Sequence, residues 1–222
     1  MTLLDYPGHT ACTVFLGGCD FRCPFCHNYE LADGTAQPVM EEEDLLLFLS
    51  KRRGLLDGVA FTGGEPCLHP QLLALMRRIR DMGFLIKLDT NGVHPRMLRS
   101  VLEEHLVDYV AMDIKNAPEK YAATAGLTSV DLSPIKESIA LLLQGLCDYE
   151  FRTTVVQGFH EAEDFHKMGE MIRGAKRYYL QQFTDRDTVP FAGLQAFSLQ
   201  RMREFAAIAR EYVEDCGLRG VE

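Results

Sequence analysis

The feature that most constrains this chain is an alternation. Short runs rich in β-branched and aromatic residues recur between longer segments with helical periodicity. Thr10 to Phe15, Leu56 to Phe61, Phe84 to Leu88, Tyr109 to Ile114, Tyr149 to Val156 and Arg177 to Gln182 read as strands. Glu41 to Arg53, Pro70 to Met82, Pro95 to His105, Pro134 to Leu146, Glu161 to Arg173 and Ser198 to Cys216 read as helices, with Ser133 as an N-cap. Strand–helix units in this order demand parallel strands joined by right-handed crossovers. The six units are fewer than the eight a closed barrel needs. The expected fold is therefore α/β, an open, partial (β/α)6 barrel in a single domain over residues 1–222, with a doubly wound sheet as the alternative. At 222 residues and 47% hydrophobic, the chain can bury such a core without disulfides.

In either architecture ligands collect at the C-terminal ends of the strands. The unusual residues of this sequence sit there. The first strand is followed by Cys19-Asp20-Phe21-Arg22-Cys23-Pro24-Phe25-Cys26, the second by Gly63-Gly64-Glu65. The third ends at Asp89-Thr90-Asn91-Gly92, the fourth at Asp113-Ile114-Lys115, and the fifth carries Arg152.

Three thiolates on one short loop can take three corners of an iron–sulfur cluster and leave one iron open to a small molecule. Catalytic zinc sites keep a vacant position for the same purpose. Three buried cysteines packed as small hydrophobes would not need to crowd into one loop. A structural zinc ion wants four ligands, usually from two pairs. Here His27 is adjacent to Cys26, and Cys12, Cys67, Cys147 and Cys216 are solitary. The odd total of seven cysteines, without an export signal, argues against a disulfide framework. On their own residues the other strand-end groups stay open. Alone, Gly63-Gly64 reads first as a turn, Asn91-Gly92 first as a turn beside an ordinary ion pair, and Arg152 equally as a site residue or one half of an internal ion pair.

The C-x3-C-x-aromatic-C pattern, with Phe25 as the aromatic, resembles the signature of the radical S-adenosylmethionine superfamily. The wider stretch from Asp5-Tyr6-Pro7-Gly8 to Cys26-His27-Asn28 is similar to glycyl-radical-enzyme activases, above all those serving anaerobic ribonucleoside-triphosphate reductase. The resemblance implies a [4Fe–4S] cluster on Cys19, Cys23 and Cys26. It implies S-adenosylmethionine as cofactor, in contact with Phe25, Gly63, Gly64, Glu65, Asp89, Asn91, Lys115 and Arg152. It also implies a monovalent cation on Asp89, Thr90 and Asp113. In that family Gly-Gly-Glu receives the methionine amino group, and a 5′-deoxyadenosyl radical takes a hydrogen atom from a glycine of a partner enzyme. The implied partners are a glycyl radical enzyme and an electron donor of flavodoxin or ferredoxin type. Another radical enzyme, acting on a peptide or small molecule, and a zinc-binding interaction module are the rival readings. Some activases carry a histidine after the sixth strand; this chain has Leu180-Gln181-Gln182-Phe183-Thr184 there. His69, His94, His105, His160 and His166 are scattered and receive no role.

Lys and Arg number 23 against 32 Asp and Glu, a formal charge of −9. That excess argues against nucleic acid, whose binding rests on basic groups neutralising phosphate. Lys51-Arg52-Arg53 and Arg77-Arg78-Ile79-Arg80 read as solvated helix ends. No run approaches the length of a membrane helix, and the start Met1-Thr2-Leu3-Leu4-Asp5-Tyr6-Pro7 lacks the pattern of a signal peptide. The expectation is a soluble, cytoplasmic protein.

Overall fold

The computed structural model describes Thr2 and residues 5–221. Met1, Leu3 and Leu4, part of the start read above for a leader, lie outside the described residues, as does Glu222. Seven parallel strands form one sheet in sequential order: β1 (Ala11–Leu16), β2 (Gly58–Gly63), β3 (Leu85–Thr90), β4 (Tyr109–Asp113), β5 (Asp148–Val155), β6 (Arg177–Gln182) and β7 (Asp215–Arg219). β1 and β7 are the two edges, so the sheet does not close. The helices are α1 (Tyr29–Asp33), α2 (Glu42–Ser50), α3 (Leu72–Asp81), α4 (Pro95–Glu103), α5 (Tyr121–Thr124), α6 (Ser133–Leu143), α7 (Ala162–Met171) and α8 (Leu199–Ala209). This is the open α/β architecture read from the alternation, with one strand more than expected.

Three local readings need correction. Ser198 to Cys216 is not one helix: α8 stops at Ala209, and Cys216 lies in β7. Ser133 is not the cap of α6 but its first residue; its N–H is received by Asp131 Oδ1 at 2.9 Å, so the capping oxygen comes from two residues upstream. The basic Lys51-Arg52-Arg53 falls in the turn after α2 rather than inside it, where Arg52 lies over the Phe48 ring. Arg77 and Arg78 of α3 reach across the surface to Glu104, Glu42 and Glu43, as solvated charges do, whereas Arg80 is half-buried and pairs with Asp108.

The two faces of the sheet differ chemically. Side chains alternate along each strand, and the register aligns like positions across the sheet. Val59, Phe61, Ile86, Leu88, Val110, Met112, Phe151, Val155 and Leu180 point to the helix side and are fully buried in the main core. Lys87, Asp89, Asp113, Glu150, Arg152 and Arg219 occupy the alternate positions. Burial of charge is tolerated only when paired, and these residues are. Arg219 holds Glu150 through two hydrogen bonds of 2.5 and 2.7 Å, and Tyr109 donates to the same carboxylate. At the N-terminal ends of the strands, Tyr6 packs with Ala11, Leu85, Tyr109 and Ala111 as a small separate apolar cluster. Among the described residues, no helix is long and apolar enough to cross a membrane.

Candidate active site

The three cysteines stand on the loop that leaves β1, and that loop is fastened from several sides. Arg22 N–H reaches Ala125 O at 2.8 Å, and its guanidinium bonds the carbonyls of Cys19 and Phe21. Phe25 is buried and meets the Phe159 ring edge-on at 5.6 Å. Asn28 Nδ2 donates to Gly63 O at 3.2 Å. All three cysteines are free thiols. Phe21 N–H and Asn91 Nδ2 face Cys19 Sγ at 3.4 and 3.7 Å. Burial pushes all three thiols up, Cys23 to about 11, while the Lys115 ammonium acts on each in the opposite direction. The thiols are therefore protonated at neutral pH in this state, and any metal they bind must displace protons.

Gly63 and Gly64 are required by backbone contact. Gly63 has φ +115°, and a Cβ on Gly64 would stand 2.0 Å from Gly18 O. The pair docks onto the cysteine loop, with Gly64 N–H on Leu16 O and Glu65 N–H on Gly18 O, both at 2.8 Å. Glu65 does not face an open cleft. It is fully buried, and its carboxylate receives Cys67 N–H at 2.9 Å, Thr90 Oγ1 at 2.8 Å and Asn91 N–H at 2.6 Å. In this arrangement the carboxylate is a bracket that ties the β2 end to the β3 end. Asn91 closes its own turn through Val93 N–H to Oδ1 at 3.0 Å.

The remaining strand-end charges form one network. Arg152 donates to Asp113 Oδ1 at 3.0 Å and to Asp89 Oδ2 at 3.3 Å; Lys115 meets Asp113 Oδ2 at 2.9 Å, and Lys87 pairs with Asp89. Three cations against two carboxylates leave one net positive charge. Burial alone would raise the Asp113 pKa, but Arg152 and Lys115 overcome it and hold Asp113 at about 2. The carboxylates expected to hold a monovalent cation are thus engaged by this chain's own cations, and Thr90 is bonded to Glu65. Replacing Arg152 by Met should cost roughly 2 kcal/mol, below the usual loss for a buried pair because Asp113 keeps some water contact. With its folded pKa depressed, Asp113 contributes stability above the ordinary carboxylate range and loses it as pH falls towards about 2. Without Arg152 that depression shrinks, so acid unfolding, followed by circular dichroism, should begin at higher pH.

Histidines that carried no role in the sequence tie these loops together. His69 Nε2 contacts Gly17 O at 2.7 Å, and His94 Nε2 contacts Asp20 Oδ2 at 2.8 Å. His160, kept neutral by burial, contacts Lys115 O at 2.9 Å. His27 contacts Thr184 O at 2.6 Å and stacks on Phe183, so the end of β6 meets the cysteine loop although it carries no histidine of its own. No spacing rule announces these bonds, which join residues tens of positions apart.

The three free thiols on one anchored loop, with N–H donors aimed at sulfur and an ammonium beside them, fit a [4Fe–4S] cluster with an open iron. Among the described residues, no three of His, Cys, Asp and Glu gather closely enough for a single metal ion.

A family model of the radical SAM superfamily matches residues 13–172. The chain belongs to the radical SAM superfamily. As a radical SAM enzyme it uses a [4Fe–4S] cluster and S-adenosylmethionine. It is 28% identical to a Methanocaldococcus jannaschii protein assigned as a glycyl-radical enzyme activating enzyme, over 100% of this chain and 93% of that one. The pyruvate formate-lyase-activating enzyme of Clostridium pasteurianum is 31% identical over 54% of this radical SAM chain and 51% of its own length. SuiB of Streptococcus suis bound to S-adenosylmethionine superposes with a TM-score of 0.68 at 12% identity, covering 96% of this chain and 50% of that one; the likeness is one of fold.

Proposed function

We propose that this protein is a glycyl-radical-enzyme activase, with anaerobic ribonucleoside-triphosphate reductase as its protein substrate. The observation that carries the reading is the three-thiol loop at the strand ends of a chain similar throughout its length to a protein assigned as such an activase. A cluster bound there supplies one electron to the sulfonium of S-adenosylmethionine, whose cleavage gives methionine and a 5′-deoxyadenosyl radical. The electron comes from a carrier of flavodoxin or ferredoxin type.

The protein's own groups position the cofactor. Cys19, Cys23 and Cys26 would hold the cluster and leave one iron open. Strand-end carbonyls of the Gly63-Gly64 turn would accept from the methionine ammonium, and the buried Glu65 keeps that turn in place. The net positive network of Arg152, Lys115 and Lys87 with Asp89 and Asp113 suits the methionine carboxylate. A monovalent cation bound by Asp89, Thr90 and Asp113 would compete with Arg152 and Lys115 for the same oxygens. In the activase reading that chemistry would serve to remove one hydrogen atom from a glycine Cα of the partner, leaving a glycyl radical on it and 5′-deoxyadenosine as the by-product.

Electron paramagnetic resonance tests the substrate. Reduced protein, S-adenosylmethionine and the anaerobic reductase together should yield a glycyl radical signal, absent when any one is left out. Full cofactor cleavage without that signal would refute this partner.

A further inference from the structure

The side-chain amide of Asn91 is engaged at both ends. Asn91 lies in the turn that leaves β3 and is buried. Its backbone N–H donates to Glu65 Oε2 at 2.6 Å, and its Oδ1 accepts Val93 N–H at 3.0 Å. The second bond is an Asx turn, and it fixes which end of the amide is oxygen. The nitrogen therefore points the other way. There Nδ2 stands 3.7 Å from Cys19 Sγ, across 72 positions of sequence.

The frame under this contact is shared by both partners. Glu65 is fully buried, and its carboxylate holds the Asn91 N–H together with Thr90 Oγ1 and Cys67 N–H. The Glu65 N–H is bonded to Gly18 O, one residue from Cys19. Gly92 N–H on Thr90 Oγ1 at 3.1 Å closes the turn from the other side. One residue thus sets where Asn91 and Cys19 stand relative to each other. Among the described residues, Cys19 is the one cysteine of the loop whose sulfur faces a side-chain donor; the Phe21 N–H at 3.4 Å adds one from the backbone. A protonated thiol is a poor acceptor, whereas a thiolate bound to iron is a good one.

We propose that Asn91 Nδ2 donates a hydrogen bond to the Cys19 sulfur when that cysteine ligates the cluster, and thereby raises the cluster's reduction potential. The proposal rests on the reading of Cys19, Cys23 and Cys26 as cluster ligands. The reduced cluster carries one more electron and its sulfurs are more negative, so an N–H donor stabilises it over the oxidised form. Hydrogen bonds to sulfur are one of the levers on such potentials. Asn91 acts through Cys19 and is a positioning residue. This role differs from the contact with S-adenosylmethionine that the resemblance implies for it.

The test compares wild type with Asn91→Ser and Asn91→Asp after anaerobic reconstitution. Iron content, redox titration of the cluster and thermal unfolding of the metal-free proteins are measured. Serine keeps an acceptor for Val93 N–H on a shorter side chain, so the turn stays while the sulfur loses its donor. Aspartate keeps the same acceptor and sets a carboxylate against the sulfur. Both variants should bind wild-type iron and, metal-free, melt close to wild type. The reduction equilibrium constant should fall about tenfold in Asn91→Ser, about 59 mV for a one-electron couple, and further in Asn91→Asp. An unchanged or higher potential in either variant would overturn the proposal, as would loss of fold or iron in both. Lost binding of S-adenosylmethionine at an unshifted potential would overturn it in favour of direct cofactor contact. Failure of wild type itself to take up iron would instead refute the cluster reading.

Discussion

Replacing Cys23 by alanine should abolish cluster binding and all cleavage of S-adenosylmethionine while leaving the fold in place. The side chain is buried on a loop already fixed by the Arg22, Phe25 and Asn28 contacts, so losing one sulfur should cost only about 1 kcal/mol of stability. Two thiolates do not hold a cubane that ordinarily takes four ligands and here has three from the loop. Cys216→Ala is the matched control. Cys216 is buried and free in β7, away from the cysteine loop. It should keep wild-type iron and turnover. Iron content and visible absorption after anaerobic reconstitution separate the two. Equal iron in Cys23→Ala and wild type would remove this loop from the account.

The second large effect comes from Gly64. Its Cβ in Gly64→Ala would sit 2.0 Å from Gly18 O and 2.7 Å from the Gly18 carbonyl carbon, both rigid backbone atoms. The alanine cannot be housed by a rotamer change, so the β2 turn or the cysteine loop must move. Overpacking of this kind costs on the order of 3 kcal/mol, which for a chain of this size lowers the melting temperature by about 6–12 °C. Gly18 adjoins Cys19, so cluster assembly should fall as well. Gly17→Ala, on the same loop, meets only Leu31 O at an ordinary 3.8 Å and should melt close to wild type. Calorimetry of the three proteins decides the matter: equal melting of Gly64→Ala and wild type would contradict the docking described here.

Much of this architecture was legible in the sequence because it rests on local signals. The alternation of strand and helix identified six of the seven strands, since each is a β-rich run bounded by turns. β7 escaped because Cys216-Gly217-Leu218-Arg219 follows α8 after a short turn and continues its apolar rhythm. Its Gly217 is needed where the Tyr179 ring lies against the strand, a contact visible only in three dimensions. The cysteines were legible because three ligands fall on one loop. Glu65 was not: its acceptors' partners, Thr90 and Asn91, lie 25 and 26 residues away. The motif marked the right turn but not the direction its carboxylate faces. Asp89, Asp113 and Lys115 were read together at neighbouring strand ends, while the part Arg152 and Lys87 play in binding them into one network depends on the register of β3, β4 and β5.

The central claim is a redox cluster with an open iron that cleaves S-adenosylmethionine. Its most direct test is the yield of 5′-deoxyadenosine from anaerobically reconstituted protein reduced with dithionite in the presence of S-adenosylmethionine. The account predicts a brown protein that forms 5′-deoxyadenosine, with none from Cys23→Ala. A colourless protein carrying stoichiometric zinc and forming no 5′-deoxyadenosine would contradict it.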